Sequence, residues 1–438
     1  MINNIKSSLI LKIIFINVKN RKKLKIVKHN IRLLNKLNIK IEDFEAYDAL
    51  KKLNNELNLN INEIDIKELN LQKKVKSNED LKYLTPINFK QLILLDLSQN
   101  KISNIEIFKE MKLGNLEKLI LKYNKIEDLN IFEKANLKNL KELDLSNNLI
   151  KRINGLEKGN FEKLESLYLF GNQISDLTNL ENIIFKNLKI LDLGCNNISN
   201  INILENAKFN KLEKLILSGN RISDINVLEK VNFQKLNILN LDRNKISNID
   251  VLKNVNFEEL KILVLENNNQ NRIGNINTLE QVNFKNLKIL DLKENFISDI
   301  KILEKVEFEK LEKLYLGFNE ISDINVLKNV NFKELTILDL QSNNINEINI
   351  FEDVNFEKLK KLNLGYNQIS DIRVLKKANF KELTELNLHH NNIMLIDIFK
   401  NSVFENLEFL DLTFNLFNED YHSSIINYLK SKIDFFYI

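Results

Sequence analysis

The sequence predicts an α/β solenoid: a curved horseshoe with a parallel sheet on its concave side, short helices or 3₁₀ turns on its convex side, and a helical cap at each end. Three observations predict it. A period of 24 residues recurs from Leu92 to Asn415, leucines alternate with polar residues for one strand's length inside each period, and an asparagine follows at a fixed place. Alternation at a spacing of two is the mark of a half-buried strand, and a fixed period of this size is the mark of a stacked array. No copy could bury its leucines alone. Stacked copies pair their strands in parallel, and the remainder of each copy is the connection that parallel pairing requires.

The copy from Leu311 to Glu334, LEKLYLGFNEISDINVLKNVNFKE, shows the frame L-x-x-L-x-L-x-x-N-x-I. Leu314 and Leu316 alternate with Lys313, Tyr315 and Gly317, which puts the leucines on one face of a short strand. Asn319 stands where the strand must turn, and its amide can both donate to and accept from backbone groups that a turn leaves unpaired. Ser322 and Asp323 offer helix N-cap chemistry, while Ile324, Leu327 and Val330 recur every third residue, as in one or two turns of 3₁₀ or α-helix. Phe332 fills the width before the next strand.

First leucines fall at Leu92, Leu116, Leu140, Leu164, Leu188, Leu212, Leu236, Leu260, Leu287, Leu311, Leu335, Leu359, Leu383 and Leu407. The turn asparagine is present in all fourteen copies: Asn100, Asn124, Asn148, Asn172, Asn196, Asn220, Asn244, Asn268, Asn295, Asn319, Asn343, Asn367, Asn391 and Asn415. The copy at Leu260 carries three extra residues after Asn268, an insertion expected to bulge from a turn at the solenoid edge. A Phe precedes most first leucines by three residues, with Leu113 and Leu137 in its place in two early copies.

This frame resembles the leucine-rich repeat family. The phrase NxISDIxxL is similar to the phosphatase-regulatory-subunit class of repeats and to bacterial internalins. The resemblance implies a concave sheet that binds a protein partner.

Composition divides the chain. Of its 438 residues 44% are apolar, enough for a sizeable core, and Cys195 is the only cysteine, so no intrachain disulfide forms and a reducing compartment is expected. Residues 1 to 41 hold 11 cations and no Asp or Glu, leaving 53 cations against 60 anions elsewhere. Two modules of opposite sign are implied. The expected division is a basic helical module at 1–60, a repeat array at 61–417 opening on a degenerate copy around Ile66, Leu69 and Leu71, and a cap at 418–438.

In the basic module, residues 7 to 18 are apolar but too short to span a bilayer, and KNRKKLK follows where a signal peptide would place small residues. Ile10 to Leu34 reads as two short amphipathic helices and weakly resembles an F-box, a helical module that docks repeat receptors onto ubiquitin ligases. The opening Leu-Pro of that family is missing and Asn30 takes an aromatic position, so the segment reads equally as a cap. Its cations also suit an acidic partner or peripheral contact with an anionic membrane face. Residues 42 to 60 read as a helix with Phe44, Tyr47, Leu50 and Leu53 on one stripe. At the other end Ser423 to Ile433 reads as a serine-capped amphipathic helix.

Chemistry is sparse. His389 and His390 have no Cys or third His nearby, no phosphate-binding or nucleophile motif is present, and neither a metal, a cofactor nor an enzymatic activity is expected. The array is net negative without a continuous basic stripe, which argues against nucleic acid. The solvent-facing column between the second and third leucines alternates Asp with apolar or aromatic residues, either a striped recognition surface or Asp and Lys neutralising one another across strands. Tyr123, Tyr168, Phe170, Tyr315, Phe318, Tyr366 and Phe414 lie in or just after the strands and are the candidate protein-binding residues. The expected function is a non-enzymatic interaction scaffold in the cytoplasm or nucleus. A ubiquitin-ligase substrate receptor and an internalin-like surface adhesin are the alternatives.

Overall fold

The computed structural model describes residues 41–61, 66–87, 89, 91–267, 272–400 and 404–438, with the backbone alone for 41–48. The basic segment 1–40, Asn268 with the adjoining 269–271, and the side chains of Phe44 and Tyr47 lie outside the described residues.

The described residues form sixteen strands in one sheet whose order is the chain order, β1 (Glu68–Asn70) through β16 (Phe435–Tyr437). Every pair is parallel, and leucine registers on leucine, as in Leu290↔Leu314 and Leu314↔Leu338. A three-residue strand is all the frame allows, because alternation lasts only from the residue before the second leucine to the turn. The inner residues Leu95, Leu119, Leu143, Leu167, Leu191 and Leu215 are wholly buried. The insertion leaves the ladder intact: Leu263 of β9 (Ile262–Val264) pairs with Leu290 of β10 (Ile289–Asp291). Its extra length is taken up outside the strands.

On the convex side each full copy returns through a 3₁₀ helix, such as Asn325–Lys328. The expected cap is displaced by one residue. Ile324 holds the cap position without a side-chain bond, while Asp323 Oδ1 accepts the Asn325 N–H at 2.9 Å. Asp128, Asp176, Asn200, Asp224, Asn248 and Asp299 do the same in their own copies. The carboxylate therefore shapes the turn that enters the helix. Beneath lies a spine of buried rings: Phe161, Phe185, Phe209 and Phe233 follow one another with centroids 6.3, 6.1 and 6.3 Å apart. Rings of this size set the spacing between the convex and concave layers.

Both ends are closed by helices. At the N-terminal end α1 (Ile41–Glu56) buries Leu50 and Leu53. At the other end α2 (Ser423–Lys432) buries Ile425, Ile426 and Leu429. The expected serine cap is not formed there: His422 occupies the cap position and Ser423 is the first helical residue. The last residues add a strand to the sheet, since Phe435 pairs with Phe409 and Tyr437 with Asp411.

What holds neighbouring copies together is the asparagine. Asn220 Oδ1 accepts the Ile198 N–H of the preceding copy at 3.0 Å, and its Nδ2 donates to Leu193 O of that copy and Leu217 O of its own at 3.0 and 2.9 Å. Asn319 repeats the set with Ile297, Leu292 and Leu316. At the two ends Asn100 bonds Val75, Leu71 and Leu97, and Asn415 bonds Ile393, Leu388 and Leu412. No other side chain of that size donates twice and accepts once, so Asp and Leu are excluded on chemistry alone.

Asn220→Leu strands one buried N–H and two buried carbonyls at roughly 1 to 3 kcal/mol each. A loss of several degrees or more in melting temperature is expected by calorimetry. A variant that melts with the parent would mean that these bonds carry no stability.

Candidate protein-binding surface

Five columns of side chains run along the sheet, and each is set by its place in the frame. One of the two readings of the floor column, between the second and third leucines, paired Asp with Lys across strands. Asp144 does meet a lysine of the preceding copy, Lys122 Nζ lying 3.8 Å from its Oδ2, but these carboxylates have another partner in common. Oδ1 of Asp96, Asp144, Asp192, Asp291, Asp339 and Asp411 accepts the backbone N–H two residues on, at 2.8 to 3.2 Å. Asn240, Asn363 and Asn387 do the same. These N–H groups belong to the bend after the strand, so most of the floor column is structural. Lys118 pairs instead with Glu142 at 2.8 Å.

Closer charge pairs across strands occur at the strand entry. Lys141 meets Glu117 at 2.8 Å, Lys189 meets Glu165 at 2.7 Å and Lys288 meets Glu312 at 2.6 Å. The alternation Glu117, Lys141, Glu165, Lys189, Glu213 was present in the sequence one residue after each first leucine. Reading that column would have found it.

A column that sequence reasoning did not isolate is the residue just before each asparagine. All fourteen have left-handed backbones with φ between 47° and 68°, and only Gly171 and Gly219 among them are glycine. The other side chains bear a cost of about 1 kcal/mol or more for this conformation. It is imposed because the chain must bend sharply for the asparagine to point inward. The left-handed residue is thereby turned out along the strand-end edge.

The seven candidate aromatics separate on this basis. Tyr168 and Tyr315 are half-buried on the floor and Phe170 is half-buried at its margin. Tyr123, Phe318, Tyr366 and Phe414 are left-handed edge residues, 51%, 45%, 49% and 73% exposed. They do not form one patch. Tyr123, Tyr168 and Phe170 lie in the first half of the array. Tyr315 stands on β11 (Lys313–Tyr315) with Phe318 just beyond it, and Lys293 Nζ lies 4.9 Å from the Tyr315 ring centroid.

Tyr366 and Phe414 are joined by a residue absent from the candidates, His390. Its ring stacks on Tyr366 at 4.1 Å and 19°, and faces Phe414 at 4.2 Å and 31°. His389 stands edge-on to Tyr366 at 4.6 Å and holds Asn387 Oδ1 at 2.5 Å through Nδ1. Burial lowers the His389 pKa, with the neighbouring Asp411 opposing the shift. The same end of the array exposes Met394 and Leu395, where other copies carry polar pairs such as Ser-Asp.

Acids on the floor are under strain of another kind. Burial pushes Asp291 up to about 6, Glu266 and Asp339 add to the rise, and the Lys293 amide and ammonium oppose it. Burial raises Asp192, Asp242 and Asp339 as well. Among the described residues no group of three His, Cys, Asp or Glu side chains is arranged to hold a metal ion, and no helix is long and apolar enough to cross a membrane.

Comparison with known proteins accords with this geometry. Profiles described as leucine-rich repeats match residues 114–174, 285–329, 186–201 and 357–372. The chain is a leucine-rich repeat protein. The structure of an internalin from Listeria monocytogenes is 28% identical, with a TM-score of 0.57 over 82% of this chain and 88% of that one. A leucine-rich repeat protein of Leptospira interrogans is 22% identical, with a TM-score of 0.60 over 89% and 97% of the two chains. The TLR13 chain in a complex with ssRNA13 is 24% identical, with a TM-score of 0.62 over 84% of this chain and 56% of its own. The last two likenesses concern the fold alone. Among proteins of curated function none matches.

The raised carboxyl yields a test of the leucine-rich repeat floor. Because the folded value of Asp291 lies above its ordinary 3.8, protonation stabilises the fold below 3.8, and that contribution is lost as pH rises through about 6. Asp291→Asn keeps an acceptor for the Lys293 N–H without the charge. It should be more stable than the parent by about 1 to 3 kcal/mol at pH 8, with the difference shrinking toward pH 4. Thermal melts of both proteins across that range check it, and an advantage independent of pH would assign the gain elsewhere.

Proposed function

We propose that this protein is a non-enzymatic interaction scaffold that seats a protein partner along the strand-end edge and adjoining floor in the C-terminal half of the array. The observation that carries this reading is the run Tyr366, His390 and Phe414. Three rings at successive edge positions stack on one another, with Tyr366 and Phe414 open to solvent and His390 half-buried between them, and the core beneath them is already filled by leucine. Rigid aromatic anchors of this kind lose little conformational entropy when a partner covers them. Tyr315 and Phe318 extend the same surface toward the middle of the sheet. The backbone-bonded carboxylates fix the floor, and the aromatic residues supply what a partner can recognise.

A second reading, a surface adhesin, is favoured by the 28% identity to the internalin over most of both chains. N-terminal sequencing of the mature protein separates the two, because the adhesin requires export. The F-box-like reading rests on residues 10 to 34, outside the described residues, and is tested by co-purification with a ligase adaptor.

Tyr366→Ala with Phe414→Ala, and separately Tyr315→Ala with Phe318→Ala, should each weaken partner binding at least tenfold, as loss of one or two anchors at about 1 to 3 kcal/mol each implies. Melting temperature should change little, since the removed rings are half-buried or exposed. Titration of a partner isolated by pull-down with the full chain gives the comparison. Loss of binding from convex charge reversals, with the aromatic variants unaffected, would move the site to the other face.

A further inference from the structure

The two ends of the sheet are finished differently. At one end β1 shows Glu68 and Asn70 to solvent on either side of the buried Leu69, and a charged edge strand resists pairing. At the other end β16 pairs with β15 (Phe409–Asp411) alone among the described residues, and its exposed residues are Phe435 and Tyr437, 58% and 48% open. Between them Phe436 packs against the core. Helix α2 packs on the last convex turn, Asp397–Lys400. Within its three residues no lysine, proline or bulge blunts the strand, and the charged residue beside it is the exposed Asp434. An uncharged aromatic edge strand is a template for another strand.

We propose that the free edge of β16 is an interface for a second copy of this chain. The two β16 strands pair antiparallel about a two-fold axis at Phe436. The partner is argued from the strand itself. A two-fold antiparallel pair centred on the middle of three residues sets Phe435 opposite Tyr437 of the other copy, twice over. Both pairs are aromatic on aromatic, on the same face. They continue the contact already present between Phe409 and Tyr437, whose centroids lie 5.7 Å apart. Joining β16 to β1 of another copy would instead set aromatic residues beside Glu68 and Asn70 and would build an open filament.

The register makes the proposal testable with charge. Phe435→Lys with Tyr437→Lys places lysine opposite lysine in both pairs and should give a monomer. Phe435→Lys with Tyr437→Glu places lysine opposite glutamate in both and should restore the dimer. Mass is read by analytical ultracentrifugation of the full chain over a dilution series, with far-ultraviolet dichroism confirming that each variant is folded. In the unaltered protein, amide hydrogen exchange at residues 435–437 should slow as concentration rises, which tests the edge without any substitution. A parent that stays monomeric with concentration-independent exchange overturns the proposal. So does a dimer that survives the lysine pair, a lysine–glutamate variant no better than the lysine pair, or a mass that grows into filaments.

Discussion

A side-chain amide that donates twice and accepts once sits at the same point of every repeat, and wherever it lies among the described residues its three bonds reach backbone groups in two successive copies. Asn220 is typical: it ties Ile198 and Leu193 of one copy to Leu217 of the next. A strand of only three residues leaves the bend behind it with unpaired groups beside an apolar core, where each would cost the full desolvation penalty. The asparagine removes that penalty and makes each copy depend on its neighbour. Stability then passes along the array through nearest-neighbour contacts, as expected for a quasi-one-dimensional fold.

The same constraint decides what the surfaces can do. To turn the asparagine inward, the residue before it takes a left-handed conformation in all fourteen copies, which projects that side chain from the edge. The floor carboxylates are occupied by bend amides, and at the entry edge Glu117, Lys141, Glu165, Lys189, Lys288 and Glu312 are occupied by one another. Such exposed ion pairs contribute about 0 to 1 kcal/mol each and offer a partner little net charge. In the proposed reading, recognition falls to side chains that the frame does not use, and the largest of these are the edge aromatics. Their crowding toward the C-terminal end gives a uniform scaffold a distinct end.

The closing segment shows how an array ends without repeating. Helix α2 covers the last convex turn with Ile425, Ile426 and Leu429, while β16 prolongs the sheet beyond the final asparagine. Covering the core and covering the sheet edge are separate problems, and this chain solves the first within itself. The edge at β16 keeps backbone groups that another strand can use.

The period, the leucine alternation and the asparagine fixed the solenoid, its parallel pairing and its buried ladder from the sequence alone, because each depends on contacts that recur at constant spacing. Position in the frame dictates burial there, so Leu314, Asn319 and Phe332 could be placed by reading. The candidate recognition surface could not. The seven aromatics were legible as exposed candidates, yet their separation into floor and edge residues needed the backbone angle of the bend. His390 joined them only once Tyr366 and Phe414 were seen 24 residues on either side of it, stacked against its ring. The partners of Asp291 and Asp339 were likewise decided by the tertiary structure. A carboxylate at that position reaches both a neighbouring lysine and the amide two residues on, and the local bend brings the amide closer.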